Sequence, residues 1–419
     1  MDRAPATMTA PARRSPPLTR SAALLLTSNL GGAALSFAIV ALIGRTLGER
    51  GLGVYALALA WVYPLGLAVE FGLGTLMTRE LAADPSRTGR MLGSAAALRL
   101  TLGTPVMLAL IALAPLITTD AESAAGLRIA APLVTVTPFY SAFTAVLRAR
   151  QVMLPILWLN VGMLAAQVAL TALALALGGG VLTALAINTA TSAGQLVAAW
   201  AVCQSSAPAS AERIPSLADL SEMARQSAPF AIAGVLAAMQ MRLPVILLEQ
   251  LTTTEAVGLF AAANRLIEGL RLFPNALFGA IFPSLSALAA DAAGLRRVFQ
   301  RGAAGLIAFG AVVGVGLTLF GVPILTLIYG ESFAAGSAAL TLLGWALAAG
   351  ALRGLATLRW YAAGREASVN RINAVLLIAQ IVVGVPLIGL WGVNGAALTI
   401  LLTESAALVR LGIGEPRSV

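Results

Sequence analysis

Residues 160–196, NVGMLAAQVALTALALALGGGVLTALAINTATSAGQL, return in the second half of the chain as residues 373–408, NAVLLIAQIVVGVPLIGLWGVNGAALTILLTESAAL. Asn160 and Gln167 match Asn373 and Gln380, Gly179 matches Gly392, and Ser192 matches Ser405. A second echo sets Gly53-Val54-Tyr55-Ala56 against Gly258-Leu259-Phe260-Ala261. Each copy is long and apolar enough to hold two membrane spans. A repeat of this length in an apolar chain predicts two related helical bundles facing each other, an architecture common among secondary transporters.

Composition narrows the choice further. Of 419 residues, 59% are hydrophobic and 11% charged, with a mean hydropathy of +0.89, far from the roughly 25% charged residues of a soluble domain. There is no His, so the usual general base near neutral pH and the commonest metal ligand are both missing. A single cysteine, Cys203, allows no disulfide within the chain and no thiolate cluster. The 27 basic residues are all Arg, a skew that reads as genomic base composition. The net charge of +9 would suggest nucleic acid in a soluble protein; here its natural place is in cytoplasmic loops beside anionic lipid.

A hydrocarbon core of ~30 Å needs ~20 apolar residues per helix, and the chain offers about twelve such runs. They fall near 22–43, 54–77, 94–117, 126–147, 154–177, 181–203, 226–248, 257–288, 302–328, 335–358, 371–390 and 394–413. The run 257–288 is too long for one straight span, and Pro274 and Pro283 predict a kinked helix with a cytoplasmic extension. The expected class is an all-α integral membrane protein of about twelve transmembrane helices, in two six-helix bundles related by a parallel repeat. Arg3, Arg13, Arg14 and Arg20 fall on one side, with Arg79, Arg87, Arg90 and Arg99, Arg148 and Arg150, and Arg213 and Arg225. Arg296, Arg297, Arg301, Arg359, Arg365, Arg371, Arg410 and Arg417 join them. Opposite lie only Arg45 and Arg50, with Arg128 just inside a span. The positive-inside rule then makes the protein multi-pass in the cytoplasmic (inner) membrane, with both termini cytoplasmic.

The expected organisation is a disordered cytoplasmic tail over 1–21 and an N-terminal six-helix lobe over 22–203. A cytoplasmic linker over 204–225 ends in a short amphipathic helix; a C-terminal six-helix lobe covers 226–413 and a cytoplasmic tail 414–419. Arg13-Arg14 ahead of an apolar run loosely resembles a twin-arginine signal. With no small-residue cleavage site, that run reads as a retained first span.

The outer connections, 118–125, 178–180, 249–256, 330–335 and 391–393, are minimal. None offers a paired-carboxylate constellation, and the glycine-rich stretches lie inside spans, away from any nucleotide-binding context. An enzyme such as a membrane glycan polymerase is therefore disfavoured, and neither a cofactor nor a metal site is expected.

An ionisable group at the bilayer centre costs ~2.5–3.5 kcal/mol on insertion scales, so each is a functional hypothesis. Arg242, Arg265, Arg271 and Arg353 qualify, with Glu70, Glu268 and Glu404. Arg265, Glu268 and Arg271 are spaced i, i+3, i+6, which places the carboxylate within reach of both guanidiniums. The triad reads either as a self-neutralising network that lets a charged helix insert, or as a cationic cavity whose guanidinium forks suit phosphate. Arg353 lies near the inner end and could snorkel there. Glu70 could be a helix-end carboxylate paired with Arg79 or Arg90. Glu404 has no Arg close in sequence; it needs a partner from another helix or is protonated, which makes it the candidate for coupling to H⁺ or Na⁺. Asn160, Gln167, Asn373, Gln380 and Asn394 read as interhelical hydrogen-bonding groups.

Several stretches carry a resemblance. Arg45-Thr-Leu-Gly48-x-x-Gly51-Leu-Gly53-Val-Tyr55, followed by Glu70-Phe71-Gly72-Leu73-Gly74 and Arg79-Glu80, resembles the first hairpin of Wzx-type oligosaccharide flippases. Gly258-Leu-Phe260-x-Ala262-x-x-Arg265, Pro274, Phe282-Pro283-Ser284-Leu285, Ile328-Tyr329-Gly330-Glu331-x-Phe333 and Gly392-Val-Asn-Gly395-Ala396-Ala397 continue it, from about residue 22 to 410. The resemblance implies the superfamily of multidrug (MATE) exporters and lipid II flippases, with two six-helix bundles around a cavity opening alternately to each face. It implies, as cargo, an undecaprenyl-diphosphate-linked oligosaccharide moved to the periplasmic leaflet for surface polysaccharide synthesis, beside polysaccharide-assembly proteins; the sequence itself carries little sign of a stable oligomer, so a monomer is expected. In that scheme Arg265, Arg271, Arg242 and Arg353 bind the diphosphate, and Glu268, Glu404 and Glu70 support or couple. The alternatives are a MATE-like ion-coupled drug exporter and, below it, a lipid II flippase, which resembles this chain with two further spans.

Overall fold

The computed structural model describes residues 18–206, 216–287, 292–362 and 364–413, and among the described residues there are helices and turns but no strand. The tails expected at 1–21 and 414–419 therefore lie largely outside the described residues, as does much of the linker expected at 204–225.

The first half holds eight helices: α1 (Leu18–Glu70), α2 (Leu73–Ala83), α3 (Thr88–Ile117), α4 (Ala121–Ala130), α5 (Leu133–Ala149), α6 (Met153–Leu157), α7 (Met163–Ala176) and α8 (Val181–Ser206). The second holds α9 (Leu217–Leu251), α10 (Thr254–Leu270), α11 (Leu272–Ala287), α12 (Ala292–Tyr329), α13 (Ser337–Ala362) and α14 (Glu366–Ile413). Among the described residues nine stretches are long and apolar enough to cross a membrane. Two of these bend at glycines: α1 at Gly48 (φ 68, ψ −170) and α14 at Gly392 (φ 52, ψ −124). Only glycine takes up such backbone cheaply. Separating each at its bend, and adding α10 with α11, gives an arrangement consistent with twelve crossings. The repeat is visible in these turns, since Gly178 (φ 87) turns the chain between α7 and α8 where Gly392 does so within α14.

Three elements differ from the sequence expectation. The second span, expected unbroken over 54–77, stops at Glu70: Phe71 (φ 53) and Gly72 (φ 70) are both left-handed, and α2 restarts the helix. Glu70 itself caps the restart, its carboxylate accepting from the Gly72 N–H at 2.8 Å and the Gly74 N–H at 2.6 Å. The amphipathic helix expected at the end of the linker is continuous with the seventh span. Ser216 and Asp219 form a reciprocal capping box, and α9 then runs 35 residues without a break. The run expected to kink at Pro274 and Pro283 breaks at Arg271 instead; Pro274 sits in the first turn of α11, where a missing N–H leaves no bond unmade, and α11 continues through Pro283.

The two bundles share one apolar core at the end that carries Arg50. There Ile43, Leu57 and Tyr55 of α1 pack in the same buried cluster as Phe260, Ala262, Tyr329 and Phe333. Towards the opposite end the clusters separate. Leu73, Met77, Leu98 and Val146 form one in the first half, joined by Met223 of α9, while Ile281, Leu306 and Leu355 form another in the second half.

Polar ties reinforce the shared end. The Arg50 guanidinium pairs with Asp120, with Glu122 at 3.7 Å and with Glu255 of α10 at 3.0 Å. Arg45 donates to the Leu327 carbonyl at 2.5 Å, and Gln250 donates to that of Ile117.

Candidate functional site

The intramembrane charges form three groups. In the first, Glu268 on α10 holds two arginines: Arg265, one turn earlier, at 2.6 Å, and Arg242 of α9 at 3.7 Å. Asn264 donates to the same carboxylate at 3.2 Å. Arg265 also donates to Ser36 of the first half, and the Arg242 guanidinium lies over the Tyr63 ring, 5.3 Å from its centre. One carboxylate between two guanidiniums leaves a surplus positive charge. The group borders a cavity of about 220 Å³ between the halves, also lined by Tyr55, Gln167 and Asn188.

The i, i+3, i+6 spacing misleads for Arg271. The helix ends at Leu270 and Arg271 is its C-cap, so the guanidinium does not join Glu268. It borders a separate cavity of about 320 Å³ with Gln240, Asn264, Asn275, Gln380 and Thr403. Among the described residues Arg271 has no carboxylate partner.

The same cavity holds the second group. Arg353 of α13 binds Glu404 of α14, Nε to Oε2 at 2.6 Å and Nη2 to Oε1 at 3.2 Å, and donates to Asn373 Oδ1 at 3.4 Å. The contact is a close ion pair in which one hydrogen bond, Nη2 to Oε1, is made. Arg353 does not snorkel, and Glu404 finds the partner that its own helix lacks. Gly350, one turn before Arg353, leaves room for the carboxylate: a Cβ there would sit 3.1 Å from Glu404 Oε2.

The third group surrounds Glu70. The expected partners Arg79 and Arg90 are replaced by Arg99, 3.7 Å away and fully buried, while Arg79 pairs with Glu80 at 3.1 Å. The charge count groups Arg99 with the cytoplasmic arginines; α3 instead carries it into the bundle, where Glu70 is its only ion-pair partner among the described residues. Ser141 donates to the same carboxylate at 3.2 Å. Glu70 faces a third cavity, about 510 Å³, whose wall includes Arg148, Asn188, Ser192 and Arg242.

The amides shared by the repeat are used unevenly. Asn160 accepts from the Tyr140 hydroxyl at 2.5 Å and donates to Ser28 at 3.3 Å, and the Asn373 carbonyl accepts from Gln240 at 2.7 Å. Gln167 and Gln380 are buried on the walls of the two cavities that meet at Asn264. Sequence reasoning missed Asn264 and Ser36. An amide directly before Arg265 was a readable signal; a lone serine in an apolar run was not.

The model of the family described as "Polysaccharide biosynthesis protein" matches residues 18–289. The chain belongs to that family. No curated protein matches it significantly. Solved structures with the same fold include a lipid II flippase, MurJ, in an inward closed conformation, at a TM-score of 0.76 and 13% identity over 94% of this chain and 86% of that one. A MATE multidrug transporter of the MOP superfamily in an inward-facing conformation follows at 0.73 and 14%, covering 93% and 95%. The MATE multidrug transporter DinF-BH gives 0.65 and 14%, covering 96% and 97%. The likeness to these structures shows a shared all-helical, multi-pass membrane fold.

Proposed function

We propose that the protein moves an undecaprenyl-diphosphate-linked oligosaccharide from the cytoplasmic to the periplasmic leaflet of the inner membrane. The reading rests chiefly on the charge arrangement between the halves, where Arg242 and Arg265 share the single carboxylate of Glu268. A diphosphate offers oxygens that a guanidinium fork can take in pairs, and exclusion of water strengthens the contact. Glu268 then serves as the anion that holds the arginines in position while the cargo is absent. A recess of about 430 Å³ walled by Gly32, Ala33, Ser36 and Gly269 also borders Arg265 and Glu268. It would let the headgroup enter while the polyprenyl chain stays in lipid.

Alternating access by rocking of the two lobes, 22–203 against 226–413, fits the large apolar core that the bundles share at the end carrying Arg50. We take that end as periplasmic and both termini as cytoplasmic. The arginine asymmetry supports this, as does the likeness to two structures named as inward states. A drug exporter for organic cations would be served by an acidic cavity, and the surplus charge beside Glu268 is positive.

The test is the lipid-linked glycan content of cells lacking the protein, with the glycan probed for accessibility on each membrane face. Accumulation of a complete polyprenyl-linked oligosaccharide on the cytoplasmic face, relieved by the wild type and not by Arg265→Ala, is the expected result. No accumulation, with altered sensitivity to cationic compounds, would replace the reading with export of drugs.

A further inference from the structure

The hydroxyl of Tyr329, the last residue of α12, is buried and makes no hydrogen bond among the described residues. A buried donor left unmade is unfavourable, and natural interiors keep few of them, so each calls for an explanation. The immediate packing of the ring is apolar. It tilts against Phe333 with the centres 5.1 Å apart, and a Cβ on Gly44 of α1 would stand 2.7 Å from Tyr329 Cδ1. The charges that act on the hydroxyl are those of Arg265 and Glu268. Tyr55, a second buried tyrosine on which Arg265 acts, already shares a hydrogen bond with Gln167. The Tyr329 hydroxyl is thus an uncommitted donor beside the Arg265–Glu268 pair.

Cargo binding creates a need for such a donor. Arg265 holds Glu268 at 2.6 Å and Arg242 holds it at 3.7 Å, and a diphosphate that takes both guanidiniums strips the carboxylate of its cations. What remains is the Asn264 amide at 3.2 Å. A charge left unpaired within a bundle is strongly unfavourable, so the displaced carboxylate turns to the next donor. No hydrogen bond joins it to Tyr329 in this state, and making one moves Tyr329, α10 or both. Either motion disturbs the core at the end carrying Arg50, where Tyr329 shares one buried cluster with Phe260 and Ala262 of α10 and with Ile43 and Leu57 of α1. A ligand shifts a conformational equilibrium only through interactions that differ between the states, and the transferred carboxylate supplies such a difference.

We propose that Tyr329 couples cargo binding to the closed end: when a diphosphate occupies Arg242 and Arg265, the displaced Glu268 carboxylate accepts a hydrogen bond from the Tyr329 hydroxyl, and the shared core loosens. The inference rests on the diphosphate reading and adds a route from the cargo to the far end of the bundles. Tyr329 is a positioning residue, since it acts on Glu268 and does not touch the cargo. Phenylalanine at this position keeps the ring and removes the hydroxyl, which separates packing from coupling.

The experiment uses the full chain in nanodiscs, with undecaprenyl diphosphate and undecaprenol as probes. Affinity is measured together with the distance between spin labels at Thr119 and Ser332, two exposed positions of the closed end in opposite halves. Undecaprenyl diphosphate should lengthen that distance in the wild type, and undecaprenol should not. Tyr329→Phe should unfold at the wild-type temperature or above it, yet its label distance should no longer respond to the diphosphate. Coupling is reciprocal, so the variant should also bind the diphosphate about tenfold more weakly. In a Glu268→Gln background, where no carboxylate is displaced, Tyr329→Phe should change affinity by less than about twofold, a test of the pair by double-mutant cycle. A full distance response in Tyr329→Phe would overturn the coupling, as would an equal affinity loss with and without the Glu268 carboxylate. A wild type that binds the diphosphate with no change of distance would overturn it too. A diphosphate bound no better than undecaprenol would instead overturn the reading beneath it.

Discussion

Gly53 and Gly258, equivalent positions of the internal echo, lie against each other where the two bundles meet. A Cβ on Gly53 would stand 1.9 Å from the Thr254 carbonyl oxygen, and one on Gly258 would stand 1.8 Å from that of Glu49 and 3.0 Å from the Gly53 nitrogen. The obstructing atoms are backbone, so no rotamer change relieves them and the helices must part. Small residues at a membrane helix interface commonly serve this close approach.

Gly53→Ala and Gly258→Ala should each penalise the closed end by about 1–3 kcal/mol, the usual cost of overpacking. Spin labels at Thr119 and Ser332, exposed and in opposite halves, report the separation of that end; the single native cysteine, Cys203, is buried. Either alanine should lengthen the label distance and slow transport. An unchanged distance distribution would show that this crossing does not hold the end closed.

The same end should respond to acid. Partial burial works against ionisation of Asp120, but hydrogen bonds from Ser123 and the Arg50 guanidinium outweigh it and hold its carboxyl below the ordinary 3.8. A carboxylate with a depressed value stabilises the tied state above its ordinary value, and that contribution is lost as pH falls through the depressed one. The Thr119–Ser332 distance should therefore stay constant from neutral pH down to about 4 and broaden below it. Asp120→Asn should remove most of that dependence.

Arg353 and Glu404 test the separation of structural from cargo-binding charges. Either Arg353→Ala or Glu404→Ala alone leaves a partner unpaired within the bundle and should cost about 3–5 kcal/mol of stability. Removing both should recover a large part of it, a coupling measurable by a double-mutant cycle in thermal unfolding. Arg265→Ala should do the reverse, abolishing transport while the protein still inserts and folds.

Glu70 should behave as a structural residue. It caps α2 and, among the described residues, is the one ion-pair partner of the fully buried Arg99. Glu70→Ala should lower the unfolding temperature of the purified protein strongly, whatever the cargo. Arg99→Met with Glu70→Gln should restore stability, because both buried charges are then gone.

The spans were legible because they rest on apolar length, and the bundles because Asn160–Leu196 and Asn373–Leu408 spell them twice. The charges were legible as intramembrane residues but not as pairs. Arg353 and Glu404 sit on different helices, and nothing local links them. Arg271 falls away from Glu268 because the helix ends beside it, and a boundary one residue off reverses the assignment. Arg99 lies three turns into α3, whose first turns are polar, so hydropathy places the start of the span close to it and does not show that its guanidinium is buried. The break after Glu70 was hidden by Phe71, a residue that rarely adopts a positive φ.

The most direct measurement is translocation by the purified protein in liposomes. The cargo is undecaprenyl diphosphate carrying a fluorescent oligosaccharide, and its inner and outer pools are distinguished by a quencher that cannot cross the bilayer. Transfer between leaflets is expected with the wild type, and none with Arg265→Ala at equal reconstitution. Transfer at the rate of protein-free liposomes with the wild type, or full transfer with Arg265→Ala, would contradict the diphosphate-flippase reading.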